Sequence, residues 1–319
     1  MIGIAGAGAF GTALAVALGH EGHRVRLWAR DADHVGLMAR SRANEARLPG
    51  IGLPETVTVT TNIADFAGAE VVLLALPMQA LAAFLEAHAD ALDGTALVAC
   101  CKGVDLASLR GPSALIEKFC PNSPAAILTG PSFAADIARG KPTALTLACA
   151  GPEAERLQHL LSTATLRLYR TSDVVGAELG GALKNIIAIA AGVVTGAGLG
   201  ESARAALITR GFAEMQRLAI HFGARSETLS GLSGLGDLVL TCTSTQSRNL
   251  RYGLALGSGK PFDTQMTVEG VATTQAVSRL AASLSIEMPV ATMVARLIAH
   301  EITLDRAISS LMSRPLKEE

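Results

Sequence analysis

Apolar residues recur along the first half of the chain in two alternating patterns. Short β-rich runs stand at IGIAGA (2–7), RVRLWA (24–29), TVTVTT (56–61), EVVLLAL (70–76), TALVACC (95–101), AAILTG (125–130), TALTLAC (143–149) and LRLYRT (166–171). Between most of them, apolar positions return every three or four residues, as in MQALAAFLEAHADAL (78–92), the spacing that gives a helix one buried face. Strands alternating with helices predict βαβ units and a mainly parallel sheet, because a parallel neighbour is reached by a crossover. Beyond Ser172 strands become scarce, and SARAALITRGFAEMQRLAIHFG (202–223) and GVATTQAVSRLAASLSI (270–286) read as helices. The expected fold class is α/β, a mainly parallel sheet domain over residues 1–175 followed by an all-helical domain over 176–319.

Near that boundary lies LGGALKNIIAIAAGVVTGAG (179–198), an apolar run holding one charge, Lys184, with Asn185 beside it. It is long enough for a bilayer, for which about 20 apolar residues suffice. A lysine at its centre costs about 3 kcal/mol to insert, so a buried helix of a soluble fold is the expectation. A lysine taken from water is expensive unless paired, so Lys184 either snorkels to a surface or serves chemistry.

Composition narrows the function classes. The formal net charge is −1, which excludes a large basic excess for nucleic acid or an anionic membrane. Any anionic ligand is therefore met by local charge. Half of the residues are hydrophobic but only 3% aromatic, and 32 are glycine, a composition suited to closely packed α/β layers. The five cysteines (Cys100, Cys101, Cys120, Cys149 and Cys242) form no CxxC, so buried thiols are expected and no metal site. The first residues lack the organisation of a signal peptide, and the tail SRPLKEE (313–319) is polar and expected to fray. Cytoplasm is the expected address.

The first chemical signal is GAGAFG, with Gly6, Gly8 and Gly11 between a predicted strand and a predicted helix. In a Rossmann-type fold the first glycine makes the tight turn, the second lets a pyrophosphate approach, and the third lets helix pack on strand. A tight turn alone satisfies the same pattern. Where an NAD-selective fold usually carries an acidic ribose reader, this chain has Arg30 followed by Asp31. An arginine there can pair with a 2′-phosphate, or be a surface charge.

Four further stretches carry polar groups that apolar patterning leaves unexplained. CCKGVD places Lys102 past a strand's C-terminal end, where open parallel sheets bind ligands. TGPSFAADIARG presents Gly130 and Ser132, the latter read as N-cap of a helix from Phe133. GLSGLGDLVLTCTSTQSRNLRYG contains Asp237, Thr241, Ser247, Arg248 and Asn249, and TVEGVATTQ contains Glu269. Taken singly, each has a structural alternative: a solvated strand end, a helix cap, a surface charge.

In combination and in order, GAGAFGTALA, KGVD, GPSFA, LKNIIAIAAG, GLGDLVLTC, SRN and VEG, spread across nearly the whole chain, resemble the bacterial NAD(P)-dependent glycerol-3-phosphate dehydrogenases. The resemblance implies reversible hydride transfer between NADPH or NADH and dihydroxyacetone phosphate, giving sn-glycerol 3-phosphate for phospholipid synthesis, often in a homodimer; with the charge balance and Lys184 read above, no nucleic-acid partner and no membrane insertion are expected. It implies Lys184 as catalytic acid/base, with Lys102 and Asp237 as its catalytic partners. It implies substrate contacts at Lys102, Gly130, Ser132, Lys184, Asp237, Ser247, Arg248 and Asn249. Thr241, one helical turn beyond Asp237, reaches the same oxygens if that segment is helical. Cofactor contacts are expected at Gly6, Gly8, Ala9, Phe10, Gly11, Arg30, Lys102, Ala134, Arg248 and Glu269. Ala9 and Phe10 depart from the Ser-Trp or Asn-Trp often found there. Two other readings remain at this point: a related two-domain β-hydroxyacid dehydrogenase, and a non-catalytic NAD(P)-binding sensor.

Overall fold

The eight β-rich runs all form strands, and the computed structural model describes residues 1–263 and 266–313. The first part of the chain runs β1 (Ile2–Ala5), α1 (Ala9–His20), β2 (Val25–Trp28), α2 (Ala32–Ser41) and β3 (Val57–Thr60). A short 3-10 turn (Ile63–Phe66) precedes β4 (Val71–Leu74), α3 (Met78–Leu92), β5 (Ala96–Ala99) and α4 (Pro112–Phe119). Then come β6 (Ala125–Thr129), α5 (Ala134–Ala138), β7 (Thr143–Ala148), α6 (Glu153–Leu161) and β8 (Leu166–Thr171). Residues 314–319 of the polar tail lie outside the described residues.

The strands form one sheet in the order β3-β2-β1-β4-β5-β6-β7-β8. Neighbours are parallel except β6 and β7, which run antiparallel in the register Leu128 opposite Leu147. On β1, Ile2 faces Val25 on one side and Val71 on the other. The order reverses between β1 and β4, which opens a crevice beyond the carboxyl ends of those strands. Both sheet faces are covered. Ile2, Ile4, Val71 and Leu73 pack on one with Leu14 and Leu18 of α1. Val72, Leu74, Leu97 and Ala99 pack on the other with Leu81 and Leu85 of α3. Burial on both faces is why these strands read as continuous apolar runs rather than alternating ones.

The remainder is helical: α7 (Val174–Gly196), α8 (Glu201–His221), α9 (Ser226–Ser230), a π-helical turn (Leu232–Gly236), α10 (Asp237–Thr243) and α11 (Arg248–Ser258). It ends with α12 (Glu269–Ser283), α13 (Pro289–Ile298) and α14 (Leu304–Met312). Asp173 caps α7 by accepting from Gly176 N, 2.8 Å away. By length and hydropathy α7 could cross a membrane, but 89% of its apolar window is buried inside the fold. It is the axis of the third core, where Leu183, Ile186, Ile187 and Ile189 meet Met215, Leu218, Leu238, Leu250 and Val277 from the surrounding helices. Glycine permits the tightest of these contacts: a Cβ at Gly192 would lie 2.2 Å from Leu250 O, and one at Gly253 2.0 Å from Ile189 O.

Candidate active site

The turn from β1 into α1 shows what each motif glycine is for. Gly6 has φ +118°, and a Cβ there would fall 2.4 Å from Ala75 O; a Cβ at Gly11 would fall 2.0 Å from Gly6 O. The fold itself demands glycine at both. A Cβ at Gly8 would meet no protein atom within 4 Å, so packing leaves that position free. Gly8 is the N-cap of α1 and has no side chain to occupy the helix's first amides. A β-carbon would fill this open cradle, and a phosphate fits it through free N–H groups and the helix dipole. Ala9 and Phe10 form the first turn of α1, where Phe10 is half-buried and packs toward Ala13, Ile137 and Ala138, with Ala134 against the same cluster.

Arg30 lies exposed just past β2, with no hydrogen bond or ion pair among the described residues. Asp31 is otherwise engaged: its Oδ1 accepts from Asp33 N at 2.9 Å and His34 N at 3.1 Å, capping α2.

The catalytic candidates converge from both parts of the chain. Lys184 projects from α7 with 7% of its side chain exposed, and its Nζ donates to Asp237 Oδ1 and, at 2.8 Å, to Thr241 Oγ1. Lys102 arrives from beyond β5, and its Nζ lies 2.6 Å from Asp237 Oδ2 and 3.3 Å from Gly130 O. One carboxylate thus holds two ammonium groups. Asp237 is 1% exposed and opens α10 directly after the π-helical turn. That turn rests on Gly180, whose Cβ would stand 2.7 Å from Ser233 O. Thr241, one turn on, donates to Asp237 O at 2.6 Å, which aims its lone pairs at Lys184.

Burial pulls the Lys184 ammonium down from its ordinary value to about 7; Lys102 acts in the same direction and Asp237 opposes it. Desolvation wins because a buried lysine leaves all of its hydration behind. The Glu269 carboxyl, first residue of α12, is pushed up by burial and pulled back by Arg248, Lys102 and Lys184. The pull of those three cations places it beside the same cluster. All five cysteines are buried thiols, with Cys100 and Cys242 pushed up to about 12 by burial. Cys100 and Cys242 are thereby held as neutral thiols.

Ser247, Arg248 and Asn249 are the N-cap and first two residues of α11. Ser247 Oγ accepts from Leu250 N at 3.2 Å, while the Arg248 side chain is exposed and has no hydrogen bond among the described residues. A helix N-terminus beside a free guanidinium suits a phosphate. Asn249 Nδ2 donates to Asn185 Oδ1 at 2.9 Å, and its Oδ1 accepts from Gly270 N at 3.0 Å. Asn185 is the site residue that sequence reasoning left unassigned: it is 3% exposed, and its Nδ2 has no partner. The only signal was an amide in an apolar run. The reading of Ser132 as a helix cap is corrected. Phe133 takes the N-cap of α5 without a side-chain bond, that helix ends after five residues, and Ser132 Oγ turns to Gly130 O at 3.3 Å.

Comparison with known proteins extends this geometry. Residues 1–155 match the family model described as NAD-dependent glycerol-3-phosphate dehydrogenase N-terminus, and residues 173–309 match the corresponding C-terminus. The chain is 64% identical over 320 residues, covering 100% of both chains, to a protein of Cereibacter sphaeroides named as a glycerol-3-phosphate dehydrogenase of the NAD(P)+ type. It is 59% identical to the protein of that name from Roseobacter denitrificans, over all of this chain and 99% of the relative. The crystal structure of a glycerol-3-phosphate dehydrogenase from Coxiella burnetii superposes with a TM-score of 0.93 at 38% identity, covering 98% of each chain.

Proposed function

The chain belongs to the family of NAD-dependent glycerol-3-phosphate dehydrogenases, and from that premise we propose how its residues divide the work. It is an NAD(P)-dependent oxidoreductase that interconverts dihydroxyacetone phosphate and sn-glycerol 3-phosphate, the backbone of glycerophospholipids. The observation that carries the assignment of roles is the buried cluster of Lys184, Asp237, Thr241 and Lys102 at the crevice.

The cofactor, when bound, supplies or accepts the hydride at C2. Reduction leaves negative charge on the ketone oxygen, and the Lys184 ammonium gives that oxygen its proton. In the reverse direction the free amine of Lys184 takes the proton back. Asp237 and Thr241 fix the amine's direction, and Lys102 adds a second positive charge toward the developing oxyanion. The substrate's phosphate takes no part in bond changes, so its binding energy orients C2. Arg248, Ser247 and Asn249 at the start of α11 anchor it, with Gly130 and Ser132 as further substrate contacts. The turn at Gly6, Gly8 and Gly11 holds the pyrophosphate, and Arg30 reads the ribose end.

In this reading residues 1–175 form the cofactor domain and 176–319 the substrate domain, and the enzyme is a cytoplasmic homodimer. Burial of α7 supports keeping the chain out of the bilayer; family resemblance supports the dimer, which sedimentation measures. Purified protein mixed with dihydroxyacetone phosphate and NADPH or NADH should lose absorbance at 340 nm. Turnover of an unphosphorylated β-hydroxyacid in preference to that substrate, or binding of cofactor with no turnover at all, would replace the reading.

A further inference from the structure

We propose that Asn44, which lies outside the glycine motif, is a positioning residue for the cofactor's pyrophosphate. The proposal rests on the reading of the Gly6–Gly11 turn as the phosphate cradle. Asn44 is 0% exposed, and its Nδ2 donates to Ala7 O at 3.0 Å and to Thr12 Oγ1 at 2.7 Å. Ala7 C=O and Gly8 N–H belong to one planar peptide and point in opposite directions. Turning Ala7 O inward onto Asn44 therefore turns Gly8 N–H outward, toward the side where a Cβ at Gly8 would meet no protein atom. The second bond ties the same amide to the first turn of α1, where Thr12 N also donates to Gly8 O at 3.0 Å. Both donors of Asn44 are committed to the turn, while its Oδ1 is buried without a partner.

The residues around Asn44 hold it to this task. Arg42, at φ 52°, sends its guanidinium to Val57 O and Leu53 O, both at 3.0 Å, and to Pro54 O. Asn44 O accepts from Arg47 N at 3.1 Å and Leu48 N at 2.7 Å, and Ala43 bridges Gly52. The loop between α2 and β3 is thus closed on itself, and its rigidity is delivered to the Ala7–Gly8 peptide through one amide.

Asn44→Leu keeps the branched shape and the heavy-atom count and removes both donors. Calorimetric titration should show the Kd for NADPH and for NADH raised about tenfold, the loss expected when a charge-assisted N–H contact is misdirected. Adenosine 2′-monophosphate, which has no pyrophosphate, should bind within about twofold of wild type. The KM for the nicotinamide cofactor should rise in parallel, with kcat and the KM for dihydroxyacetone phosphate nearly unchanged. If the leucine variant does not fold, Asn44→Ser, whose hydroxyl is too short to reach Ala7 O, carries the same expectation. Gly8→Val tests the cradle separately and should abolish NADPH binding. Loss in Gly8→Val with unchanged affinity in a folded Asn44 variant overturns the role of Asn44, and so does an equal loss for NADPH and adenosine 2′-monophosphate. Unchanged affinity in Gly8→Val overturns the cradle itself, and the proposal with it.

Discussion

At Lys184 burial and ion pairing compete, and the outcome sets a direction of chemistry. With the ammonium brought down to about 7 by burial, ketone reduction, which consumes that proton, should be level below this pH and fall above it. Alcohol oxidation needs the free amine and should rise to the same point and then level. Initial rates in both directions between pH 5.5 and 9 test this, and profiles without an inflection near pH 7 would remove Lys184 from proton transfer. Lys184→Met should lower kcat by about 10²–10⁴-fold while leaving cofactor affinity in place. Arg248 acts on a group that does not react, so Arg248→Ala should cost about 1.5–3 kcal/mol in kcat/KM for dihydroxyacetone phosphate and far less for unphosphorylated dihydroxyacetone. Equal losses would mean the arginine does not meet the phosphate. At Arg30 the structure sharpens the expectation, because one oxygen of the Asp31 carboxylate is committed to capping α2, while the Arg30 guanidinium makes no hydrogen bond among the described residues. Arg30→Ala should raise the KM for NADPH roughly 5- to 30-fold and that for NADH much less. An unchanged ratio between the two coenzymes would exclude Arg30 from cofactor selection.

Elements place these residues, and α7 is the one on which placement depends most. It carries Lys184 and Asn185 and is crossed by α11, which carries Ser247 through Asn249 at its start; the two backbones approach closely at Gly192 and Gly253. Gly253→Val would force them apart, at a cost of about 1–3 kcal/mol or more, visible as a fall of several degrees in the unfolding midpoint and a higher KM for the phosphorylated substrate. Gly151→Ala, where a Cβ meets nothing within 4 Å, is the control and should change little. The strands and α7 were legible in the sequence because double-sided burial writes an unbroken apolar run. The antiparallel turn of β7 was not, since apolar runs carry no direction. Ser132 misled because a serine before an apolar run is the ordinary mark of a cap, whereas α5 begins one residue later, with Phe133 at its N-cap and no side-chain cap bond. The π-helical turn before Asp237 has no spacing of its own to announce it. Asn185 acquires meaning only from Asn249, 64 positions away.

Across the whole molecule, the sheet part and the helical part have largely their own cores, with Val104 packed into the helical one and Ala177 of α7 into a sheet one, and polar contacts tie the two together. Lys102 reaches Asp237, Glu178 of α7 accepts from Ser113 N and Oγ of α4 at 2.8 and 2.6 Å, and Arg279 of α12 donates to Leu106 O at 3.1 Å. Putting charge in this joint links folding to protons. Lys184 in the folded chain titrates near 7, below the ordinary 10.5, so between those values the unfolded chain holds a proton that the folded chain has released. Stability rises with pH wherever the unfolded state binds more protons. The wild type should therefore gain stability relative to Lys184→Met as pH rises from 7 to 10, at up to about 1.4 kcal/mol per pH unit, and carry its full deficit below pH 7. Glu178, pushed up by burial, is common to both proteins and drops out of the difference, and Asp237 keeps Lys102 as a partner in the variant. Urea midpoints for the two proteins at pH 7, 8, 9 and 10 give the measurement. A difference that does not change with pH would show that the buried amine keeps its proton in the folded state, and that its proximity to Lys102 and the Asp237 carboxylate leaves it an ordinary ion pair.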